Sequence, residues 1–331
     1  MMPMDAQIEL RQPALLELFS QTIINKRLGH AYLFEGSRGT GKRDVARWLA
    51  KSLFCQAKTA GRPCQTCNNC RRLEENDLPD LIEVEPDGQS IKVDQIRQLK
   101  TEFYKSTVEG NKKVYIITDA EKMTVSAANS LLTFLEEPGK ETYIFLLTTA
   151  KESILPTIRS RCQIIHFQPL KRSVMEEQLL ETGMKQSDTE LLSVMTNDMD
   201  EAQALAGDEA FHFLREKTWD WFKLLVSNDP MAFLYVQTNL LEAVKEKSQA
   251  LLCLDLLLFH YRDLLYLSFK QDDTIVHKHL LQQYQTLNNH GLDAISVTSQ
   301  LENILNGKQL LESNVQTQGV LESIAIKNLQ G

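Results

Sequence analysis

Glycine and proline are scarce, at 14 and 9 of 331 residues, and no proline follows Pro230. That excludes collagen-like or proline-rich extended structure and leaves the last third of the chain free to form uninterrupted helices. Gly/Ser-rich linkers and low-complexity tracts are missing as well, so most of the chain is expected to pack. No basic, apolar signal segment opens the sequence, which predicts a cytoplasmic protein whose cysteines are reduced and not disulfide-bonded. A long apolar run free of charge is also lacking. The best candidate, Ala250 to Phe269, contains Asp255, Arg262 and Asp263. Charges at mid-bilayer are costly, so this stretch reads as a buried bundle helix and no membrane role is expected.

Positive charge is short in the second half only. Residues 1–168 carry 23 Lys+Arg against 21 Asp+Glu, and residues 169–331 carry 13 against 23. An acidic second half repels phosphate backbones, which points it toward protein partners and leaves any DNA contact to the first half.

What is present is a 43% hydrophobic, 24% charged chain of two- or three-domain length. Short apolar β-rich runs recur at His30, Leu81, Val114, Tyr143 and Gln163. Helix-like stretches lie between them at Lys42–Phe54, Val93–Tyr104 and Ser126–Glu136. That alternation predicts a five-stranded parallel sheet covered on both faces, an α/β domain over residues 1–168. After Pro169 only helical patterns remain, predicting a small helical unit over 169–207 and an all-α bundle over 208–331.

The segment GSRGTGK places Gly36, Gly39 and Gly41 ahead of Lys42, after a strand and before a helix. In that context backbone amides and a helix N-terminus can face phosphates while the lysine neutralises them. An inherited turn, with glycines serving positive φ, has the same appearance. A working loop needs Ser or Thr after the lysine to ligate Mg²⁺, whereas Arg43 offers only donors. On the strand KVYIITDAEKM, the positions of the metal-binding Asp and water-activating Glu read Thr118 and Asp119. ATP/Mg²⁺ hydrolysis is therefore not expected, although the amides and Lys42 leave nucleotide binding without turnover open.

Cysteines stand at 55, 64, 67 and 70, two successive C-x-x-C steps with a fourth thiol upstream. In a reducing compartment this pattern predicts a closed tetrahedral Zn²⁺ site with a structural role, the alternative being free thiols or a redox pair. Cys162 and Cys253 lie in apolar surroundings and read as core residues. In the segment TIRSRCQ, Arg161 sits between Ser160 and Cys162 just before the last strand. It could be a surface charge or a helix cap. Alternatively it could be an arginine finger that stabilises phosphoryl charge in a neighbour's site.

Together, HAYLFEGSRGTGK, the cysteine cluster, AANSLLTFLEEP (Ala127–Pro138) and TIRSRCQ resemble the bacterial DNA polymerase III clamp-loader family of AAA+ proteins, from about Gln12 to Leu170. The helical remainder agrees in size with that family's lid and collar domains. Motor subunits of the family carry Ser or Thr after the loop lysine, an Asp-Glu pair on the strand, and a sensing arginine in the lid. This chain has Arg43, then Thr118 and Asp119, and Asp200 at the lid position. The resemblance therefore implies the non-hydrolysing stator of the loader, a subunit of the polymerase holoenzyme without activity of its own. It also implies a hetero-pentamer with gamma/tau motor subunits and delta, contact with the sliding clamp and primed DNA through that complex, and Arg161 as a finger in trans.

Two rivals remain at this level. One is an active motor ATPase of the same loader, with Arg43 tolerated and Asp119 replacing the usual pair. The other is a zinc-ribbon DNA-binding protein using Arg62, Arg71 and Arg72 beside the cysteines, though no aromatic residue stands among them to stack on bases.

Overall fold

A computed structural model describes residues 8–9, 11–104, 112–139, 141–288, 293–313 and 315–330. The chain divides into two compact units, residues 1–171 and 172–331.

In the first unit, α1 (Pro13–Ile24), with proline in its first turn, precedes β1 (Ala31–Glu35). There follow α2 (Lys42–Phe54), α3 (Asn68–Glu74), β2 (Leu81–Val84), α4 (Val93–Tyr104), β3 (Lys113–Ile117) and α5 (Val125–Glu136). The unit closes with β4 (Thr142–Thr148), the short α6 (Pro156–Arg159) and β5 (Gln163–His166). The five expected strands are found and pair in the order β2-β3-β4-β1-β5, all parallel.

Alternation builds two cores from the central strands. Tyr32 and Phe34, Val114 and Ile116, and Phe145 and Leu147 face one side with α1 and α2. Ala31 and Leu33, Tyr115 and Ile117, and Ile144 and Leu146 face the other with α4 and α5. Burial on both faces explains why these strands read as continuous apolar runs. On the first face Tyr32 stacks on Phe145 at 5.7 Å between ring centres, and Phe34 meets Phe167 at 4.9 Å.

The second unit is helical. It begins with α7 (Arg172–Glu181), α8 (Gln186–Met195) and α9 (Met199–Ala206), whose N-cap Asp198 accepts from the Asp200 and Glu201 amides. After α10 (Glu209–Val226) and α11 (Met231–Tyr235), a π-helical turn spans Val236–Leu240. Then come α12 (Lys247–Ser268), α13 (Leu281–Asn288), α14 (Ala294–Glu312) and α15 (Thr317–Gln330). The core includes Trp221, Phe222, Leu257 and Tyr261, and Trp221 Nε1 donates to the Ala232 carbonyl at 3.0 Å.

The charges inside the apolar run are accommodated by protein. Asp263, fully buried on α12, accepts from the Val276 and His277 amides and from His277 Nδ1 at 2.8 Å. Arg262 lies over Phe259, and Asp255 pairs with Lys308. Among the described residues no helix is long and apolar enough to cross a membrane.

Candidate functional site

The loop Gly36–Gly41 joins the carboxyl end of β1 to the first residue of α2. Gly39 and Gly41 hold φ of 72° and 82°, a left-handed backbone that glycine adopts without strain. Gly36 has a different reason: a Cβ there would stand 2.7 Å from the Phe167 carbonyl oxygen. Lys42 does not point into open space. Its Nζ donates to the Gly36 carbonyl at 2.6 Å and the Ser37 carbonyl at 2.7 Å. Burial lowers its pKa, opposed by the charges of Glu121 and Asp119. Gln12, which the sequence did not single out, clamps the loop by donating from Nε2 to the carbonyls of Thr40 (3.0 Å) and Gln168 (2.7 Å).

Arg43 turns away from the loop toward β2. Its Nη2 lies 2.7 Å from Glu83 Oε2 and its Nη1 2.6 Å from Glu85 Oε1. One turn on, Arg47 meets the other oxygen of Glu83 and donates to the Leu73 carbonyl and Asn76 Oδ1. At the end of β3, Thr118 carries a buried hydroxyl with no hydrogen-bond partner among the described residues. Asp119 adopts φ of 50° and is held by Lys122 Nζ at 2.8 Å. The acid that reaches β4 is Glu121, which accepts from the hydroxyls of Thr148 (2.8 Å) and Thr149 (2.7 Å). Burial raises its pKa, but those hydrogen bonds outweigh it and the net shift is downward. No oxygen set suited to Mg²⁺ is thus offered by Arg43 and Thr118, and the one acid at 119 already carries a lysine.

Arg161 follows α6 and precedes β5. Its Nη2 pairs with Glu136 Oε1 at 2.6 Å and its Nη1 donates to the Thr157 carbonyl at 2.9 Å, with the side chain 36% exposed. Ser160 Oγ donates to the same carbonyl at 3.1 Å. Cys162 is packed against the second core, and burial pushes its thiol up to about 12. In the parallel register β5 starts beside Tyr32 and β1 runs on to Glu35. Arg161 and the phosphate loop therefore lie at opposite ends of the strands.

Cys55 ends α2, Cys64 and Cys67 occupy the following loop, and Cys70 lies in the first turn of α3. Their four Sγ atoms lie within 4.8 Å of one another, with Cys64–Cys70 and Cys55–Cys67 each at 4.0 Å. A disulfide needs about 2 Å. Four sulfurs about 2.3 Å from a shared Zn²⁺ stand about 3.8 Å apart, so the cluster fits that ion and leaves no open position. The Thr66 and Cys67 amides and the Thr66 hydroxyl lower the Cys64 thiol to about 6, which favours the metal-binding thiolate. The amides of Cys64 and Cys67 point at the sulfurs of Cys55 and Cys64, each at 3.3 Å. The module is fastened by Lys51, only 1% exposed, whose Nζ donates to Gln65 Oε1 and Glu74 Oε1, both at 2.6 Å. Of the flanking arginines, Arg62 pairs with Glu9 and Glu17, and Arg72 with Asp77.

Comparison with known proteins adds a lineage to this geometry. The profile of the family described as "DNA polymerase III, delta subunit" matches residues 11–171. The DNA polymerase III subunit delta' of Bacillus subtilis is 41% identical over 322 residues, covering 97% of both chains. This chain belongs to the delta-prime family of DNA polymerase III. The tau subunit of Escherichia coli is 37% identical over 153 residues, 46% of this chain and 24% of tau. Among solved structures, a gamma subunit-related protein of Thermotoga maritima covers 95% of this chain and 98% of its own, with a TM-score of 0.51 and 18% identity, a likeness of fold. The relationship to the Bacillus subtilis delta' thus spans both units, whereas the similarity to Escherichia coli tau involves 46% of the chain.

Proposed function

We propose that this chain is the non-hydrolysing stator, delta prime, of a DNA polymerase III clamp loader. It supports gamma/tau motor subunits and delta in a hetero-pentamer, and reaches the sliding clamp and primed DNA through that complex. The observation that carries the reading is the fate of the metal positions: Arg43 is committed to Glu83 and Glu85, and Thr118 offers a lone hydroxyl. Positioning and metal charge provide most of phosphoryl-transfer catalysis, so a chain lacking both acts through its neighbours. Residues 1–168 form the nucleotide-binding-like domain, 169–207 the lid and 208–331 the collar. Zn²⁺ on Cys55, Cys64, Cys67 and Cys70 is structural, and the protein works in the cytoplasm.

Arg161 is the residue offered to the adjoining ATP site. Its place at the far end of the sheet from its own loop supports action in trans. Leaving Glu136 is inexpensive, because an exposed ion pair contributes about 1 kcal/mol at most. An arginine finger changes turnover by roughly a thousandfold or more. In a reconstituted loader, Arg161→Ala leaves assembly mass unchanged and silences the ATP site that adjoins this subunit. Wild-type turnover at that site, or motor-like hydrolysis by this chain alone, overturns the assignment.

A further inference from the structure

A cavity of about 660 Å³ lies in the first unit, away from the phosphate loop. It sits at the amino ends of β3 and β4, walled by the last turns of α1 and α2 and by the loop between Cys55 and Cys64. The volume lies within the range of about 300–1,000 Å³ typical of ligand pockets.

Its floor is apolar, formed by Ile23, Leu53 and the ring of Tyr143, and Ile24 at the rim is 48% exposed. Around it stand Lys26, Lys58 and Lys112, with Glu141 the one acid among the described lining residues. Lys112 is occupied, donating to the Leu53 carbonyl at 3.2 Å and lying 3.9 Å from Glu141. Lys26 and Lys58 are exposed, and neither ammonium has an ion pair or hydrogen bond among the described residues. Burial and the nearby Lys112 lower the pKa of Lys58, opposed by the charges of Cys55 and Glu141. Among the described residues, three ammonium groups thus stand against one carboxylate around an apolar floor.

The walls are also unusual in their backbone. Lys26, Ala60 and Glu141 hold φ of 54°, 50° and 53° without being glycine, and Gly61 holds 75°. Gly61 is fixed there because a Cβ would fall 2.3 Å from the Ser20 carbonyl oxygen. Residues held in this region need surrounding structure to maintain them, and such positions cluster at ligand sites.

We propose that this cavity is a docking site for an acidic peptide segment that carries an aliphatic side chain. The aliphatic group would enter over Leu53 and Tyr143, and its flanking carboxylates would meet Lys26 and Lys58. Nucleic acid meets the cations equally well but leaves the apolar floor unfilled. The proposal is independent of the stator assignment and of Arg161.

The test uses the full zinc-loaded chain and a short fluorescent peptide of alternating aspartate and leucine. Fluorescence anisotropy is read against polyaspartate of equal charge and against a single-stranded oligodeoxynucleotide. The alternating peptide binds, polyaspartate binds more weakly, and the double variant Lys26→Glu, Lys58→Glu loses about tenfold or more in affinity. Both lysines are exposed, so the variant folds, as circular dichroism verifies; Lys26→Gln with Lys58→Gln gives a smaller loss of the same sign. No binding, equal binding of polyaspartate, stronger binding of the oligonucleotide, or indifference to the lysine changes each overturns the proposal.

Discussion

Arg43 Nη2 lies 2.7 Å from Glu83 Oε2, and the same carboxylate receives Arg47 on its other oxygen, so one acid on β2 holds two successive turns of the helix that follows the phosphate loop. Adding Lys51, which reaches Gln65 and Glu74, gives three basic residues at i, i+4 and i+8 of α2. Arg43 and Arg47 share Glu83, whereas Lys51 fastens the loop around the cysteines. In this chain the position of the metal-binding hydroxyl has become a structural fastening.

Arg43→Thr alone is expected to leave the fold intact and hydrolysis absent. Arg43 and Glu85 are about half exposed and the more buried Glu83 keeps Arg47, so the loss is about 1 kcal/mol. A hydroxyl at 43 still faces Thr118 in place of a carboxylate. Only when Thr118→Asp is added should Mg²⁺ strengthen nucleotide binding, as measured by titration calorimetry with and without the metal.

The cysteine cluster should hold about one Zn²⁺ per chain, read by native mass spectrometry. Cys64→Ser removes the most acidic of the thiols and should release the ion and lower the melting temperature of the first unit. Because thiolates are the ligands, zinc retention should fall as the solution is acidified. An unchanged melting temperature in the metal-free chain would count against a structural ion.

Lys51→Met tests the fastening separately from the ligands. The substitution preserves most of the buried stem and removes the ammonium from Gln65 and Glu74. Glu74 is half exposed and can hydrate, so the expected loss is about 1–2 kcal/mol in urea unfolding. Zinc should still bind, and dissociate faster to a chelator.

The second unit should weaken in acid. Burial holds His260 well below the ordinary histidine value of 6.5. It also lowers His277, despite the hydrogen bond and charge of Asp263. Tyr284, Arg215 and His279 also face this pair, the tyrosine 2.6 Å from His260 Nδ1. Both imidazoles are neutral in the folded unit and protonate more readily once unfolded. Stability from this source is complete above about 6.5 and is lost as pH falls toward the folded values. Urea unfolding followed by tryptophan fluorescence should show that slope, and His260→Phe should reduce it.

Much of the first unit was legible because burial on both faces of β1, β3 and β4 demands unbroken apolar runs, and such runs are visible locally. The four thiols were legible for a similar reason, since a C-x-x-C step is short enough for spacing to imply proximity. No local pattern marks Gln12, Glu121 or Lys51. Gln12 touches Gln168, and Lys51 touches Glu74, across distances along the chain that no local pattern records. Glu121 lies past the strand-end positions 118 and 119, and only the backbone turn at Asp119 brings it to Thr148.

The amino-acid order alone determined which chemical groups occupy the motif positions: a lysine with no hydroxyl after it, a threonine where a metal carboxylate would stand, an arginine ahead of the last strand, four thiols in one loop. Only the tertiary structure decided what those groups touch. It turned Arg43 to Glu83, set Arg161 at the opposite end of the sheet from Lys42, and gathered three lysines over one apolar floor. The physical reason is range: side-chain identity and short spacing are properties of the chain, whereas charge pairing and cavities arise where segments far apart in it are brought together by the packing of two buried faces.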